Sequence, residues 1–451
     1  MLRFEDKIEK YIERFSLMEK NALYLVALSG GADSVSLLLV LKKLGYRVEA
    51  CHCNFHLRGE ESIRDEKFCE QLCMSENIPF HHVHFDTKSY SELHHVSIEM
   101  AARNLRYSYF ESLRKDLNAD AICVAHHQED SVETIIINLI RGTGIKGLRG
   151  ILPKNGNIIR PLLGVNRSEI EEYLSTLNQE FVIDRTNLID DVVRNKIRLN
   201  IIPLLEQINP RVKDNIFKTS TYLDDVYQIA EGFIEDYISH RDDIGLLRKG
   251  SQSYGSVGFK SILGFPKPQL LLYHILKEFG FNSIVSEEVL RNIQQNVIGR
   301  IWYSKTHEVL IDRDVLLIEP IEHTVLNPIK IPEGGTYVYN GHKFKFSVLN
   351  IESDFNLAKE NDHITIDFSH LSWPLIIRPI KNSDRFVPFG MKGSKLVSDY
   401  LTDRKVSLFD KRRQLVLTDK EDQIIWLVGH RIADRYKVNK DTKSVLDVHL
   451  V

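Results

Sequence analysis

The chain is predicted to be an α/β protein built on a Rossmann-like parallel sheet, and three observations predict it. Short apolar runs alternate with helix-length segments over the first 125 residues, a Gly-Gly turn follows the first run, and polar clusters recur at the carboxyl ends of the runs. Strands separated by helices of this length pair in parallel, with helices on both faces. Ligands of such sheets bind beyond the carboxyl ends of the strands.

The elements follow in order. Ala22–Leu28 (ALYLVAL) reads as a buried strand, Ser34–Leu44 as an apolar helix, and Arg47–His52 as a second strand. Glu60–Glu76 is a helix, Pro79–Phe85 a third strand, Glu99–Leu117 a helix, Ala121–Ala125 a fourth strand and Asp130–Leu139 a further helix. After Asn209-Pro210 the pattern turns mainly helical, as in Asp214–Tyr237 and Pro268–Phe279. Trp302–Ile318 looks like a hairpin turning near Asp312-Arg313-Asp314, and past Pro320 short strands and Gly/Pro turns suggest a small α+β domain. The expected domains are therefore 1–210, 211–320 and 321–451, in line with roughly 100–200 residues per domain for a chain of 451.

Composition bounds the class. Hydrophobic residues make up 43% and charged residues 27%, which suits a globular protein with a sizeable core. Runs such as Leu37–Leu41 and Ile135–Ile137 are too short to span a bilayer, and Met1–Asp6 lacks an apolar leader, so no membrane is expected and the cytoplasm is. All five cysteines (Cys51, Cys53, Cys69, Cys73, Cys123) lie in the first third, an odd count that points to reduced thiols. Nine of the 18 histidines fall between His52 and His127. That density suggests a metal site, but neither C-x-C nor C-x3-C has a second half at zinc-like spacing, so packing or substrate contact is the favoured expectation. The net charge is −3, yet Leu375–Val451 holds 16 Lys/Arg against 10 Asp/Glu, either a polyanion-binding surface or a solvated basic one.

Ser29-Gly30-Gly31-Ala32-Asp33-Ser34 lies between an apolar strand and an apolar helix. The glycines allow a sharp turn and close approach to an anion. The helix start aims free N–H groups at the same point, and Ser29 and Ser34 add hydroxyls. No Gly-Lys-Ser/Thr follows, so this is not a Walker A loop. A carboxylate beside an anion site is unfavourable unless a cation bridges them, which assigns Asp33 to Mg²⁺ or to ordering a triphosphate.

SGGADS matches the SGGxDS loop of the N-type ATP pyrophosphatases, and the chain resembles that PP-loop family. The resemblance implies ATP cleavage between the α- and β-phosphates, giving an adenylated substrate and pyrophosphate. Four further stretches narrow it: His52–Gly59, with Phe55-His56 one residue later than the family's HxNHxLR spacing; Glu99–Tyr107 (E-x-AAR-x-x-RY); Ala125–Thr134 (AHHxxDxxET), continued by Arg141–Gly144 and Gly147-Leu148; and Asp184–Asn187 with Arg194–Arg198 (D-x-TN…RNxIR). Together they are similar to the tRNA(Ile)-lysidine synthetases over about 200 residues. Arg378, Asp384–Phe386, Pro388–Met391 and Gly429–Ile432 resemble that family's terminal domain. The resemblance implies ATP, L-lysine and the isoleucine tRNA with a CAU anticodon as substrates, and it leaves a homodimer open.

The chemistry of the residues agrees. Asp130 and Glu133 share a helix face and could hold a lysine ammonium and take its proton, or simply complement the helix dipole. Arg103 and Arg106 could neutralise an α-phosphate or form surface ion pairs. His126 could contact nucleotide or base, or be an ordinary strand-end histidine. Arg194 and Arg198, four apart, suit a tRNA phosphate or an exposed charged helix, and Arg378 and Arg385 are expected to meet tRNA in the terminal domain. The alternatives are a tRNA thiolase on the same ATP-binding domain, disfavoured because no cysteine follows Cys123, and a non-catalytic tRNA binder with a relic loop.

Overall fold

A short amphipathic helix, α1 (Phe4–Arg14), precedes the first strand, β1 (Leu23–Ala27). Alternate residues of β1 serve opposite faces of the sheet. Tyr24 and Val26 join one core with Leu37, Leu38 and Leu41, and Leu25 joins another with Cys51, Phe110 and Ile122. Burial on both faces is why the run is continuously apolar. The structure, a computed structural model, describes residues 3–183, 193–247, 254–321, 326–351, 358 and 360–451.

From β1 the chain runs through α2 (Ala32–Lys43), β2 (Arg47–Asn54), α3 (Glu60–Ser75), β3 (Phe80–His84), α4 (Thr87–His94), α5 (Ile98–Asp116), β4 (Ala121–Cys123) and α6 (Gln128–Arg141). Then come α7 (Ile145–Leu148), the small hairpin β5 (Lys154–Asn155) and β6 (Ile158–Ile159), and α8 (Arg167–Thr176). The sheet order is β3-β2-β1-β4-β6-β5, with every pair parallel except β5–β6. The order reverses between β1 and β4, so the crevice of this sheet opens where Ser29–Ser34 and His126–Glu133 begin.

α9 (Val193–Lys196), a π-turn (Ile197–Ile201) and α10 (Ile202–Ile208) form one broken helix before α11 (Val212–Ser239). Pro203 accounts for the break. It has no N–H to give, and its ring clashes with the carbonyl four residues back, so the helix widens there. The first compact unit, Met1–Phe233, ends within α11.

The second unit, Ile234–Val451, holds two cores. The first is built from β7 (Ile244–Leu247), β8 (Tyr254–Gly258), α12 (Phe259–Gly264), α13 (Pro268–Lys277), α14 (Ser283–Gln294), β9 (Ile301–Tyr303), β10 (His307–Asp312) and β11 (Val315–Pro320). Leu271, Leu272 and Ile275 of α13 pack with Val309, Ile311 and Leu316 of the antiparallel sheet β7-β8-β11-β10-β9. The expected helices and the 302–318 hairpin are present, and β7 and β8 extend the hairpin into a five-stranded sheet. β7 and β8 escape periodicity because Gly245, Gly255 and Gly258 interrupt the alternation.

The last core lies between β12 (Ile329–Ile331), β16 (Leu375–Pro379), β19 (Leu415–Thr418) and β20 (Ile424–Leu427) in one sheet, and β13 (Gly335–Tyr339), β14 (His342–Asn350), β21 (Ser444–Leu450) and β15 (His363–Asp367) in another. A two-residue pair, β17 (Arg385–Phe386) with β18 (Lys395–Leu396), and the helices α15 (Val397–Asp403) and α16 (Leu408–Arg413) complete an α+β arrangement around the fully buried Trp426. No helix among the described residues is long and apolar enough to cross a membrane.

Candidate active site at the sheet switch point

The phosphate loop begins one residue after Leu28, whose N–H is held by Cys51 O. Gly30 has φ +86°, a conformation that favours glycine, and a Cβ there would sit tightly, 3.3 Å from Cys69 Sγ and from Val182 Cγ2. Ser34 Oγ donates to Gly31 O and accepts from Ser29 N–H, with Ser29 Oγ 3.0 Å away. The hydroxyls thus brace the turn. No side chain caps the start of α2, which leaves its first N–H groups facing the crevice.

Across the switch point, His127 precedes α6, and its N–H donates to Asp130 Oδ2 at 3.0 Å. Its Nδ1 lies 2.8 Å from Glu129 Oε2, while Nε2 lies 3.9 Å from Asp33 Oδ1 and 3.6 Å from Asp130 Oδ2. Burial alone would lower the His127 pKa, but Glu129, Asp130 and Asp33 outweigh it and raise the value. Burial raises Asp33, only partly opposed by His127 and Arg167. Asp130 is lowered instead, because His127 and Arg194 overcome its burial. The loop aspartate and the helix aspartate therefore face one imidazole between them.

Arg167, at the start of α8, has Nη1 2.6 Å from both oxygens of Asp33, and its N–H donates to Glu129. Sequence reasoning missed this residue. A signal was available: Asn166-Arg167-Ser168-Glu169 is a capping box, with Asn166 accepting from Glu169 N–H and Glu169 accepting from Asn166 N–H. It marks a helix start, where side chains converge on a loop.

Arg194 and Arg198 point inward. Arg194 donates to Glu133 Oε2 at 2.5 Å and to Asp130 Oδ1 at 2.9 Å, and Arg198 donates to Glu133 Oε1 at 2.6 Å. The expected tRNA contacts thus sit on the expected lysine-binding carboxylates. The cause is electrostatic: Glu133 is fully buried and can stay ionised there only with cationic partners. Asp184–Asn187 lies outside the described residues.

His126 accepts from Arg160 Nε–H at its Nδ1 (3.0 Å), and burial lowers its pKa to about 4. It is therefore neutral, and the proton resides on Nε2, a ready donor. The two arginines of α5 diverge. Arg103 acts on Arg160, whose basicity burial lowers first and Arg103 lowers further. Arg106 stands over the Phe55 ring at 5.2 Å, after β2. Both are exposed, and neither has a carboxylate partner among the described residues. Surface ion pairing does not explain them.

In the second unit Arg378 is 3% exposed. It donates to both oxygens of Asp384 (2.8 and 3.0 Å) and to Asp422 (2.7 Å). The arginine expected to meet tRNA thus lies on an inner strand, β16, with its guanidinium held by two carboxylates. Arg385 is exposed and donates to Ser394 O at 3.2 Å, so it remains accessible. The cysteines are all free, and burial pushes their thiols up, Cys53 to about 12. Thiols held protonated are poor sulfur carriers, which weighs against the thiolase alternative.

Residues 2–205 match the PP-loop domain family, 254–321 the TilS substrate binding domain, and 375–449 the TilS substrate C-terminal domain. The tRNA(Ile)-lysidine synthase of Parabacteroides distasonis is 42% identical over 98% of this chain and 99% of its own length. That of Bacteroides thetaiotaomicron is 42% identical over 99% and 100%. That of Porphyromonas gingivalis is 35% identical over 96% of each.

Proposed function

The chain belongs to the tRNA(Ile)-lysidine synthase family, and from that membership we propose how its residues divide the reaction. The enzyme is a ligase forming a C–N bond on tRNA at the expense of ATP. In our reading, O2 of the wobble cytidine in the isoleucine tRNA with a CAU anticodon attacks the α-phosphorus of ATP, and pyrophosphate leaves. The ε-amine of L-lysine, having lost its proton, then attacks C2. The C2–O2 bond breaks, O2 departs on AMP, and the lysidine that results pairs with A instead of G.

Ser29, Gly30, Gly31, Ala32 and Ser34 cradle the phosphates with the N–H groups of α2. Arg103 faces the nucleotide from α5, and His126 donates its Nε2–H to it. Arg106, over Phe55, meets the α-phosphate as it becomes five-coordinate. Asp130 binds the lysine ammonium with Glu133, once Arg194 and Arg198 turn from these carboxylates toward phosphate. Arg385 and the surrounding basic segment hold the tRNA, chiefly through its backbone. Rejection of the methionine tRNA with the same anticodon falls to residues beyond about 210.

Hard oxygen donors at Asp33, with Asp130 across the same imidazole, fit Mg²⁺, which takes one or two carboxylates plus substrate phosphates. When bound it would draw charge from the phosphates, and Arg167 would have to yield its place on Asp33.

The observation that carries this reading is the convergence of Asp33 and Asp130 on His127 at the switch point. The experiment supplies ATP, Mg²⁺, labelled lysine and either isoleucine or methionine tRNA(CAU), and follows label into tRNA alongside AMP. Label in the isoleucine tRNA alone is expected. AMP release without lysine transfer points to another nucleophile. If Asp33→Asn keeps every activity of the parent, the assignment of the phosphate loop is wrong.

A further inference from the structure

The density of histidines in the first third is not absorbed by the reaction. β3 presents His82 and His84 on one face, since residues two apart on a strand point the same way. α3 brings Glu66 against them. His84 Nε2 lies 3.0 Å and His82 Nε2 3.9 Å from Glu66 Oε1, and the three ligand atoms lie within 4.8 Å of one another. In a tetrahedral zinc site with bonds of about 2.1 Å, ligand atoms stand ~3.4 Å apart, a value these two distances bracket.

The outer partners are also in place. His84 Nδ1 is 2.9 Å from His56 Nε2, and Asn54 Nδ2 donates to Glu66 Oε2 at 2.6 Å. Each orients its ligand and leaves one atom, His84 Nε2 or Glu66 Oε1, for the same point in space. Metal-binding imidazoles and carboxylates are held in this way by a second hydrogen bond. His56, His82 and His84 are exposed, so none of them is a core side chain, and an entry path is open.

We propose that Glu66, His82 and His84 form a binding site for one divalent transition cation of the zinc class, with water in the fourth position. Two imidazoles and a carboxylate suit such a cation, whereas Mg²⁺ and Ca²⁺ take oxygen ligands. The bound cation ties α3 to β3 and, through His56 and Asn54, fixes the turn that follows β2. That turn lies at the carboxyl edge of the sheet, on the strand next to the one that leads into the phosphate loop.

The test uses the full chain, stripped with a chelator and without ATP or tRNA. Zn²⁺ is titrated by calorimetry and Co²⁺ by its visible absorption. One equivalent is expected, with the absorption of tetrahedral Co²⁺. His82→Asn and His84→Asn, at exposed side chains that leave the core intact, abolish it. His56→Asn weakens it by about 10–100-fold. His81→Asn, on the other face of β3 and bonded to Glu49, leaves it unchanged. Circular dichroism checks that each variant is folded. Absence of saturable binding to the parent overturns the site, as does equal binding by the His82→Asn/His84→Asn double variant. The latter would place the cation elsewhere, for example at Glu235, His274 and Glu278.

Discussion

Arg194 Nε stands 2.5 Å from Glu133 Oε2, and Glu133 is wholly buried, so the carboxylate assigned to lysine is already neutralised by the protein's own guanidinium. Arg198 takes the other oxygen. A buried carboxylate that loses its charge leaves Asp130 alone to balance both cations, at 2.9 Å from Arg194 and 3.8 Å from Arg198. Glu133→Gln should therefore cost about 3 kcal/mol of stability, the lower end of what breaking a buried ion pair costs. Urea unfolding measures it. A loss below about 1 kcal/mol would mean the pairs behave as surface ion pairs do.

Asp130 is the better reporter of lysine binding, because Asn at this position still accepts the His127 N–H that starts α6. What is lost is the charge and the second acceptor oxygen, the one that Arg194 uses. A hydrogen bond to a charged group is worth about 1.5–3 kcal/mol, so the KM for lysine in Asp130→Asn should rise tenfold or more. Pyrophosphate release in the absence of lysine should change little. If both half-reactions fall together, Asp130 serves ATP instead.

These two residues also show how far the sequence reaches. The SGGADS loop, the parallel strands and the Asp130–Glu133 spacing are local patterns, and β1 to β4 with their helices appear where periodicity expects them. What covers Glu133 is not local: Arg194 lies 61 residues away, and nothing in an i,i+4 pair of arginines says whether it faces water or a buried acid. Arg167 lies 134 residues from Asp33 and meets it only because α8 packs against α2. The grouping of Glu66, His82 and His84 was not legible for a related reason. Its spacing was judged by cysteine pairs, while the ligand geometry joins β3 to an acid on α3.

His127 carries a pH signature. Its pKa is raised in the folded protein, because Glu129, Asp130 and Asp33 overcome its burial. The stability it contributes is complete below the ordinary histidine value of about 6.5 and is lost as pH rises through the raised folded value. Asp130 is depressed, so its contribution is present above the usual aspartate range and is lost only in acid. Between pH 6 and 8.5 the parent should lose more thermal stability than His127→Gln. Calorimetry at both pH values decides, and parallel losses in the two proteins would show that His127 does not titrate in this window.

Arg378 and Arg385 are seven residues apart and should behave oppositely. Arg378 is fixed between Asp384 and Asp422 inside the terminal core, so Arg378→Ala strands a buried carboxylate and should cost about 3–5 kcal/mol. Any loss of tRNA affinity would follow from that damage. Arg385 reaches only Ser394 at the surface, and Arg385→Ala should alter stability by less than about 0.5 kcal/mol. If Arg385 meets a phosphate, its removal weakens tRNA binding and lowers the slope of log affinity against log salt by about 0.7–0.9. Titrating tRNA at several salt concentrations, alongside urea unfolding of both variants, separates the two roles. A stable Arg378→Ala protein with a reduced salt slope would instead restore Arg378 to the tRNA surface.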